Sequence, residues 1–252
     1  MLRITPAVKH LVILNVIIFL GTYFMGNEDL FFHLLALFYP LSSYFEPWQI
    51  ISHMFMHGSF QHLLFNMFAL WMFGTAVEHY FGQKKFIVFY ISCGLGAVAL
   101  TFLVYYIQIY PLITELEGRG FTFEFIKETS RLNIQQLQDK ILDQNTFSSI
   151  FDLNVKSNSS MVGASGAIMG ILVAFGMMNP NAELMMIFLP IPIKAKYFIP
   201  GIIALDLFSA ISGVSIFSPS NTAYIAHIGG ALTGFLLMYF WKKNQFDKYR
   251  WN

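Results

Sequence analysis

The sequence has few charged residues and almost no cysteine. Only 12% of its 252 residues are charged, whereas soluble globular domains carry about 25%. Its single cysteine, Cys93, excludes an internal disulfide framework and a Cys-x-x-Cys metal or redox site. It has no basic stretch interleaved with aromatic residues, and its net charge is only +1. These absences argue against an ordinary soluble domain, a disulfide-stabilised secreted fold and a nucleic-acid-binding protein.

Apolar residues dominate the chain instead. Hydrophobic residues make up 56% of the sequence, and the mean hydropathy is +0.58. Windows of about 18 to 22 apolar residues indicate membrane-spanning helices. They predict six spans, at residues 7–25, 62–81, 86–107, 161–178, 197–217 and 223–241. No small-residue cleavage site follows the first span, so we expect it to be retained and to act as the targeting signal as well.

The distribution of lysine and arginine predicts how the spans are oriented. Basic residues lie before the first span or in its first turn, between spans 2 and 3, between spans 4 and 5, and after the sixth span. They are Arg3, Lys9, Lys84, Lys85, Lys194, Lys196, Lys242, Lys243, Lys248 and Arg250. The connections after the first and fifth spans contain neither lysine nor arginine. By the positive-inside rule, both termini are cytoplasmic, and spans 2, 4 and 6 run from outside to inside.

Two connections between the predicted spans are long. The connection after the first span is rich in aromatic residues and is expected to lie in the membrane interface. Residues 108–160, between spans 3 and 4, carry five basic and seven acidic residues and are expected to form an extracytoplasmic loop. Apolar residues spaced three and four apart predict an amphipathic helix at 125–142. We interpret residues 1–252 as a single membrane-embedded domain that contains this loop.

A serine and a histidine hold equivalent positions in two predicted spans. Ser165 is flanked by glycines in the fourth span, and His227 lies in the sixth. Each is four residues in from the outer end of its span, which places both side chains about 6 Å below that end. A neutral imidazole that accepts the proton of a serine hydroxyl is the minimal nucleophile and base pair. The sequence therefore predicts that these two side chains meet at one depth.

Glycines in the same two spans are predicted to let the helices approach closely. Gly230 and Gly234 lie on the helical face of His227 and have small-xxx-small spacing. Gly163 and Gly166, which have no side chains, are predicted to allow the same close approach at the helix of Ser165. Glycine in a helix interior costs about 1 kcal/mol relative to alanine, which suggests that close contact is needed here.

The second span contributes two further polar side chains at its outer end. His62 and Asn66 are four residues apart and therefore share one helical face. An asparagine amide or a histidine N–H, together with the backbone N–H of the nucleophile, stabilises the oxyanion of a tetrahedral intermediate. His62 and Asn66 are therefore candidate oxyanion donors.

Four separated motifs in this order resemble the rhomboid family of intramembrane serine proteases, over most of the chain from Trp48 to Tyr239. The motifs are His53-Met54-Phe55-Met56-His57-Gly58 leading into His62-x-x-x-Asn66, then Gly74 and Glu78, then Gly163-Ala164-Ser165-Gly166, then Ala226-His227 with Gly230 and Gly234. Each motif alone is weak, and their combination is specific.

The resemblance implies an all-α bundle of six transmembrane helices with a Ser165 nucleophile, a His227 general base and no acidic third member. It also implies that His62 and Asn66 donate to the oxyanion, and that no cofactor or metal takes part. The expected substrates are single-pass membrane proteins, cut near the outer membrane boundary by way of an acyl-enzyme. The fifth span and residues 218–222 are expected to gate their entry from the bilayer. The expected location is a bacterial plasma membrane.

Two other functions remain open on the sequence alone. The first is a catalytically silent rhomboid-like protein that binds transmembrane clients. The second is a small transporter or channel that uses Asp206 in the fifth span, although a protonated or hydrogen-bonded structural role for this acid is preferred. His53 and His57 have a metal-ligand spacing but lack nearby cysteine or carboxylate partners, so a zinc site is not expected. Glu78 is expected to bond to backbone or to a neighbouring helix.

Overall fold

A computed structural model describes residues 3–248 except residues 26, 130, 131, 133, 142, 187, 188 and 215–220. The fold is mostly helical, at 77%. Its helices are α1 (Pro6–Phe24), α2 (Glu28–Leu35), α3 (Gln49–Ser52), α4 (Phe60–Ala69), α5 (Thr75–Phe81), α6 (Gln83–Gly118), α7 (Phe123–Thr129), α8 (Ile134–Lys140), α9 (Gln144–Ser157), α10 (Ser165–Met178), α11 (Ala195–Ser212) and α12 (Asn221–Lys248). Two short antiparallel pairs accompany them: β1 (Leu37–Phe38) with β2 (Ser160–Met161), and β3 (Glu183–Met186) with β4 (Leu189–Lys194).

Five helical segments of the described chain are long and apolar enough to cross a membrane. They are Pro6–Phe24, Phe60–Phe81, Gln83–Gly118, Ala195–Ser212 and Tyr224–Trp241. A π-helical turn at Leu70–Gly74 joins α4 to α5, which makes Phe60–Phe81 one continuous helix. The prediction of an all-α membrane bundle is therefore confirmed, while the cytoplasmic placement of the termini stays a prediction.

The fourth predicted span is shorter than expected. Helix α10 has 14 residues, about 21 Å at 1.5 Å per residue, which is less than the roughly 30 Å of a bilayer core. Its residues from Gly166 to Ala174 are all buried. Because other helices surround this stretch, its length does not have to match the lipid.

The start of α10 corrects the predicted bounds of 161–178. Met161 pairs with Leu37 in the β1–β2 ladder, so it is extended and not helical. Gly163 has a φ of +108°, which a right-handed helix excludes. The helix therefore begins at Ser165, and this serine is its first residue instead of lying four residues in. His227 is the seventh residue of α12, so the predicted equivalence of the two positions is also corrected.

Helices α6, α10 and α12 pack as the centre of the bundle through glycines. A Cβ at Gly230 would overlap the carbonyl oxygen of Gly166, and a Cβ at Gly234 would lie 2.6 Å from the Cα of Gly170. Gly230 contacts Gly166, and four residues later in both helices Gly234 contacts Gly170, so the residue numbers increase in the same direction along the two helices. Helices α10 and α12 therefore run parallel with their backbones in contact.

Glu78 joins α5 to the first turn of α1. Its carboxylate accepts hydrogen bonds from the Thr5 hydroxyl at 2.5 Å and from the backbone N–H groups of Ala7 and Val8, each at 2.9 Å. The first N–H groups of a helix have no partner within the helix, and the helix dipole favours an anion there. The expectation that Glu78 bonds to backbone and to a neighbouring helix is confirmed.

The long connection forms a small helical cap, which we define as α7, α8 and α9 together with the end of α6. Helix α6 continues to Gly118, about 54 Å in all, so its last turns extend beyond the thickness of a bilayer. The cap has its own buried core, formed by Tyr105, Ile109, Leu116, Ile126, Leu137, Ile141, Ile150 and Leu153. The predicted single helix at 125–142 is wrong, because α7 and α8 are separate helices of seven residues each and α9 follows them.

Candidate active site

One cavity of about 680 Å³ collects the four candidate residues from three different helices. Ser165 of α10, His227 of α12, and His62 and Asn66 of α4 all line it. The cavity also extends over the turn at Gly163. The predicted nucleophile, base and oxyanion donors are therefore neighbours in space, although Asn66 and Ser165 are 99 positions apart along the chain and Ser165 and His227 are 62 positions apart.

Ser165 occupies the N-terminus of α10, where backbone donors are free for a ligand. The first bond of this helix joins the Ile168 N–H to the Ala164 carbonyl at 3.0 Å, and no side chain caps the terminus. The N–H groups of Ser165, Gly166 and Ala167 therefore lack partners four residues back. The positive end of the helix dipole adds to their attraction for a negative oxygen.

The turn before Ser165 is fixed by its neighbours. The N–H of Gly163 donates to the His53 carbonyl at 2.8 Å. A Cβ at Gly163 would lie 2.6 Å from His62 Nε2 and 3.6 Å from Asn66 Nδ2. Only glycine fits both the positive φ and this space, and its absent side chain lets the two α4 groups reach the N-terminus of α10.

The ring of His62 packs against a second histidine. The centroids of His57 and His62 are 5.0 Å apart in an edge-to-face arrangement. His57 is buried, and neither of its ring nitrogens has a hydrogen-bond partner in the described structure. Burial, with the neighbouring His62 as the smaller cause, lowers the pKa of His57 to about 3. His57 is therefore neutral at pH 7 and leaves the candidate oxyanion donor without a cationic neighbour on this side.

His53 also lies at the cavity as a neutral side chain. Its Nδ1 is 2.8 Å from the Gln49 carbonyl oxygen, and burial lowers its pKa to about 4. Among the described residues there is no group of three or more histidine, cysteine, aspartate or glutamate side chains placed to hold a metal ion.

His227 makes its observed hydrogen bond to Asp206 of α11. Its Nδ1 lies 3.0 Å from Asp206 Oδ2, and the aspartate side chain is only 5% exposed. No hydrogen bond between Ser165 and His227 occurs in the described structure. The sequence predicts a protonated or hydrogen-bonded structural role for Asp206 and does not identify His227 as its partner. The available signal was a single acid within an apolar span, which gives neither its partner nor its helical register.

Two predictions fall partly on residues that the structure does not describe. Residues 215–220 of the expected gate lie outside the described residues, as does Arg250, one of the basic residues from which the orientation is predicted. The gate therefore stays a prediction.

Comparison with known sequences decides the family. A family model described as the Rhomboid domain matches residues 44–108 and 141–244, which is more than half of the chain. The chain belongs to the rhomboid family. The unmatched stretch, residues 109–140, contains α7 and α8, so most of the cap lies outside the part shared with this family of membrane proteins.

Individual rhomboid relatives are similar over parts of the chain. The mitochondrial presenilin-associated rhomboid-like protein of Rattus norvegicus is 28% identical over 181 residues, 71% of this chain and 34% of that protein. The rhomboid protease GlpG of Salmonella choleraesuis is 32% identical over 93 residues, 37% of this chain and 33% of that protein. The rhomboid protease GluP of Bacillus subtilis is 38% identical over 55 residues, 21% of this chain and 11% of that protein. The chain spans about a third of the length of the first of these relatives.

Proposed function

We propose that this rhomboid is an intramembrane serine endopeptidase that cleaves transmembrane segments of single-pass proteins near the outer membrane boundary. The observation that carries the proposal is the convergence of Ser165, His227, His62 and Asn66 on one cavity at the N-terminus of α10. Two of the similar proteins are named rhomboid proteases, which supports the same chemistry.

The proposed reaction has two steps. The Ser165 hydroxyl attacks the scissile carbonyl carbon as His227 accepts its proton, and a tetrahedral intermediate forms. The intermediate collapses with cleavage of the C–N bond, and the imidazolium returns the proton to the leaving amine. Water then attacks the resulting ester with His227 again as base, which releases the new carboxylate and restores the serine.

The oxyanion of each tetrahedral intermediate is placed at the N-terminus of α10. The unpaired backbone N–H groups there and the side chains of His62 and Asn66 converge on the same cavity. Donors that are fixed before the reaction stabilise developing charge strongly because they do not reorganise in a site of low dielectric constant.

The substrate is proposed to be a transmembrane segment with small, helix-breaking residues near its outer end. A peptide bond inside an intact helix has its carbonyl engaged in the helix and cannot approach the serine. Local unwinding therefore has to precede attack. With the orientation predicted from the lysine and arginine distribution, we propose that this cavity lies towards the extracytoplasmic face, and that the location is a bacterial plasma membrane.

A serine-directed probe tests the proposal without knowledge of the natural substrate. A fluorophosphonate forms a covalent bond to an activated serine, so folded protein in native lipid is expected to be labelled at Ser165. Labelling should be lost in Ser165→Ala and His227→Ala and kept in Ser160→Ala, because Ser160 lines the same cavity but belongs to the β1–β2 pair and is not the proposed nucleophile. Folded wild-type protein that is not labelled would contradict the protease and support a rhomboid-like protein that binds clients without cleaving them.

A further inference from the structure

The hydrogen bond between Asp206 and His227 joins two groups from different helices inside the bundle. Asp206 lies on α11 and is 4% exposed, and its Oδ2 is 3.0 Å from His227 Nδ1. The imidazole lies on α12 and lines the cavity of Ser165. The ring therefore has one nitrogen, Nδ1, bound to an acid, and its other nitrogen, Nε2, takes no part in that bond.

We propose that Asp206 is a positioning residue for the His227 base, so that the site acts as a triad of serine, histidine and aspartate. This inference rests on the proposed protease function and differs from the dyad without an acid that the family resemblance implied.

The chemistry of the imidazole explains why an acid at Nδ1 matters. A neutral imidazole carries its proton on one nitrogen only, and a carboxylate at Nδ1 can accept that proton but cannot donate one. The bond therefore fixes the proton on Nδ1 and leaves the lone pair on Nε2, as a general base requires. When Nε2 takes the serine proton, the ring becomes a cation, and the buried carboxylate stabilises this cation at hydrogen-bonding distance.

The position of Asp206 on α11 adds a mechanical consequence. The nucleophile is on α10, the base is on α12 and the acid is on α11, which packs against both of them. The orientation of the base therefore depends on α11 remaining packed against α12. If α11 moves and this bond breaks, the proton of the neutral His227 ring is no longer held on Nδ1.

Substitution by asparagine separates positioning from a purely structural role. Asp206→Asn keeps the shape of the side chain and can still bond to His227, so a structural tie between α11 and α12 survives. The amide, however, has no charge, and its NH₂ group can donate to Nδ1, which places the ring proton on Nε2. The matched control is Ser209→Ala, since Ser209 is also buried on α11 and its hydroxyl has no hydrogen-bond partner in the described structure.

The experiment measures kcat, KM and thermal stability of purified full-length variants in lipid nanodiscs, with a fluorogenic transmembrane peptide as substrate. Asp206→Asn is expected to lower kcat by about 10⁴-fold, the effect of the same substitution in a serine, histidine and aspartate triad, with KM changed little. Ser209→Ala is expected to keep the wild-type kcat. If Asp206→Asn lowers the Tm strongly, Asp206→Ser, which is smaller, is assayed below its own transition with the same criteria.

The possible outcomes separate the two proposals. A selective loss of kcat in folded Asp206→Asn supports the positioning role. A wild-type kcat in this variant, with Ser165→Ala inactive, overturns the role of Asp206 and leaves the protease intact. Wild-type cleavage by Ser165→Ala overturns the protease and the inference together.

Discussion

Gly230 of α12 lies so close to the carbonyl oxygen of Gly166 in α10 that a Cβ at position 230 would overlap that oxygen. Four residues on, Gly234 stands in the same relation to the backbone of Gly170. Backbone contact between these helices brings His227, one turn before Gly230, to the cavity at the start of α10. The glycines therefore set the distance at which the candidate base faces the candidate nucleophile.

Enlarging one of these glycines is expected to separate the two helices. Gly234→Ala places a methyl group 2.6 Å from the Gly170 Cα, and backbone atoms cannot move aside as a flexible side chain can. Overpacking of this kind costs about 1–3 kcal/mol of stability, and cleavage should fall as well because His227 moves. The matched control is Gly201→Ala on α11, where nothing lies within 4 Å of the added Cβ. Thermal unfolding in micelles measures both variants, and equal stability of the two would contradict the close approach.

Loss of the Glu78 charge is expected to loosen the attachment of α1. Glu78→Gln retains the shape of the side chain but cannot accept from Thr5, Ala7 and Val8 with two anionic oxygens. Hydrogen bonds to charged groups are worth about 1.5–3 kcal/mol, and the variant should lose a free energy of unfolding in this range. Glu117→Gln on the exposed part of α6 serves as the control and should change it by less than about 0.5 kcal/mol. Similar small effects for both substitutions would argue against Glu78 as the anchor of α1.

Buried histidines should make stability depend on pH. His57 has a folded-state pKa of about 3, against about 6.5 for an unperturbed histidine. Between these values the unfolded chain binds a proton that the folded chain does not, so stability falls as the pH is lowered from about 6.5. Each such group contributes a slope that approaches 1.36 kcal/mol per pH unit below the unfolded pKa, or about 1.6 kcal/mol between pH 6.5 and pH 5.

The slope of stability against pH isolates this effect from other changes. The slope reports how many more protons the unfolded chain binds than the folded protein. His57→Gln should lower that number by about one. A double variant that also carries His53→Gln should lower it by about two, since the pKa of His53 is also lowered, to about 4. Denaturant unfolding in mixed micelles at several pH values measures it. An unchanged slope in both variants would mean that these two rings take up protons in the folded protein over the same pH range as in the unfolded chain.

Removal of one candidate oxyanion donor should affect turnover more than substrate binding. Asn66→Ala is expected to lower kcat by about 10²- to 10³-fold, because the side chain interacts with charge that develops only in the transition state. Gln61→Ala removes another amide from the cavity lining, on the exposed side of α4, and is expected to retain turnover. Steady-state kinetics on a transmembrane peptide separate kcat from KM, and a wild-type kcat for Asn66→Ala would remove this residue from the oxyanion site.

Hydropathy and polar residues within apolar spans predicted much of this structure. The bundle follows from long apolar windows, because the bilayer requires helices of that length. Polar groups within apolar spans also singled out Ser165, His227, His62 and Asn66, which line one cavity, although the predicted equivalence of Ser165 and His227 within their helices is wrong. Both kinds of evidence lie within single segments of the chain, so they can be read from the sequence without knowledge of tertiary contacts.

The remaining features depend on contacts between distant segments. Helix α10 begins at Ser165 because Met161 pairs with Leu37, more than 120 residues earlier, and because Gly163 adopts a positive φ. The bond between Asp206 and His227 depends on the register of α11 against α12, which no spacing within either helix encodes. Likewise, α6 continues through Pro111 and past the end of the apolar window because the cap packs against it. Tertiary packing decides such boundaries.

Cleavage of a tagged single-pass reporter with a small-residue, helix-breaking outer boundary tests the central claim most directly. Wild type, Ser165→Ala and His227→Ala are compared in the same membranes at matched expression. The serine protease account predicts a cleaved product with wild type and none with either variant. Equal cleavage with Ser165→Ala would contradict it, because no acyl-enzyme can form at that position without the hydroxyl.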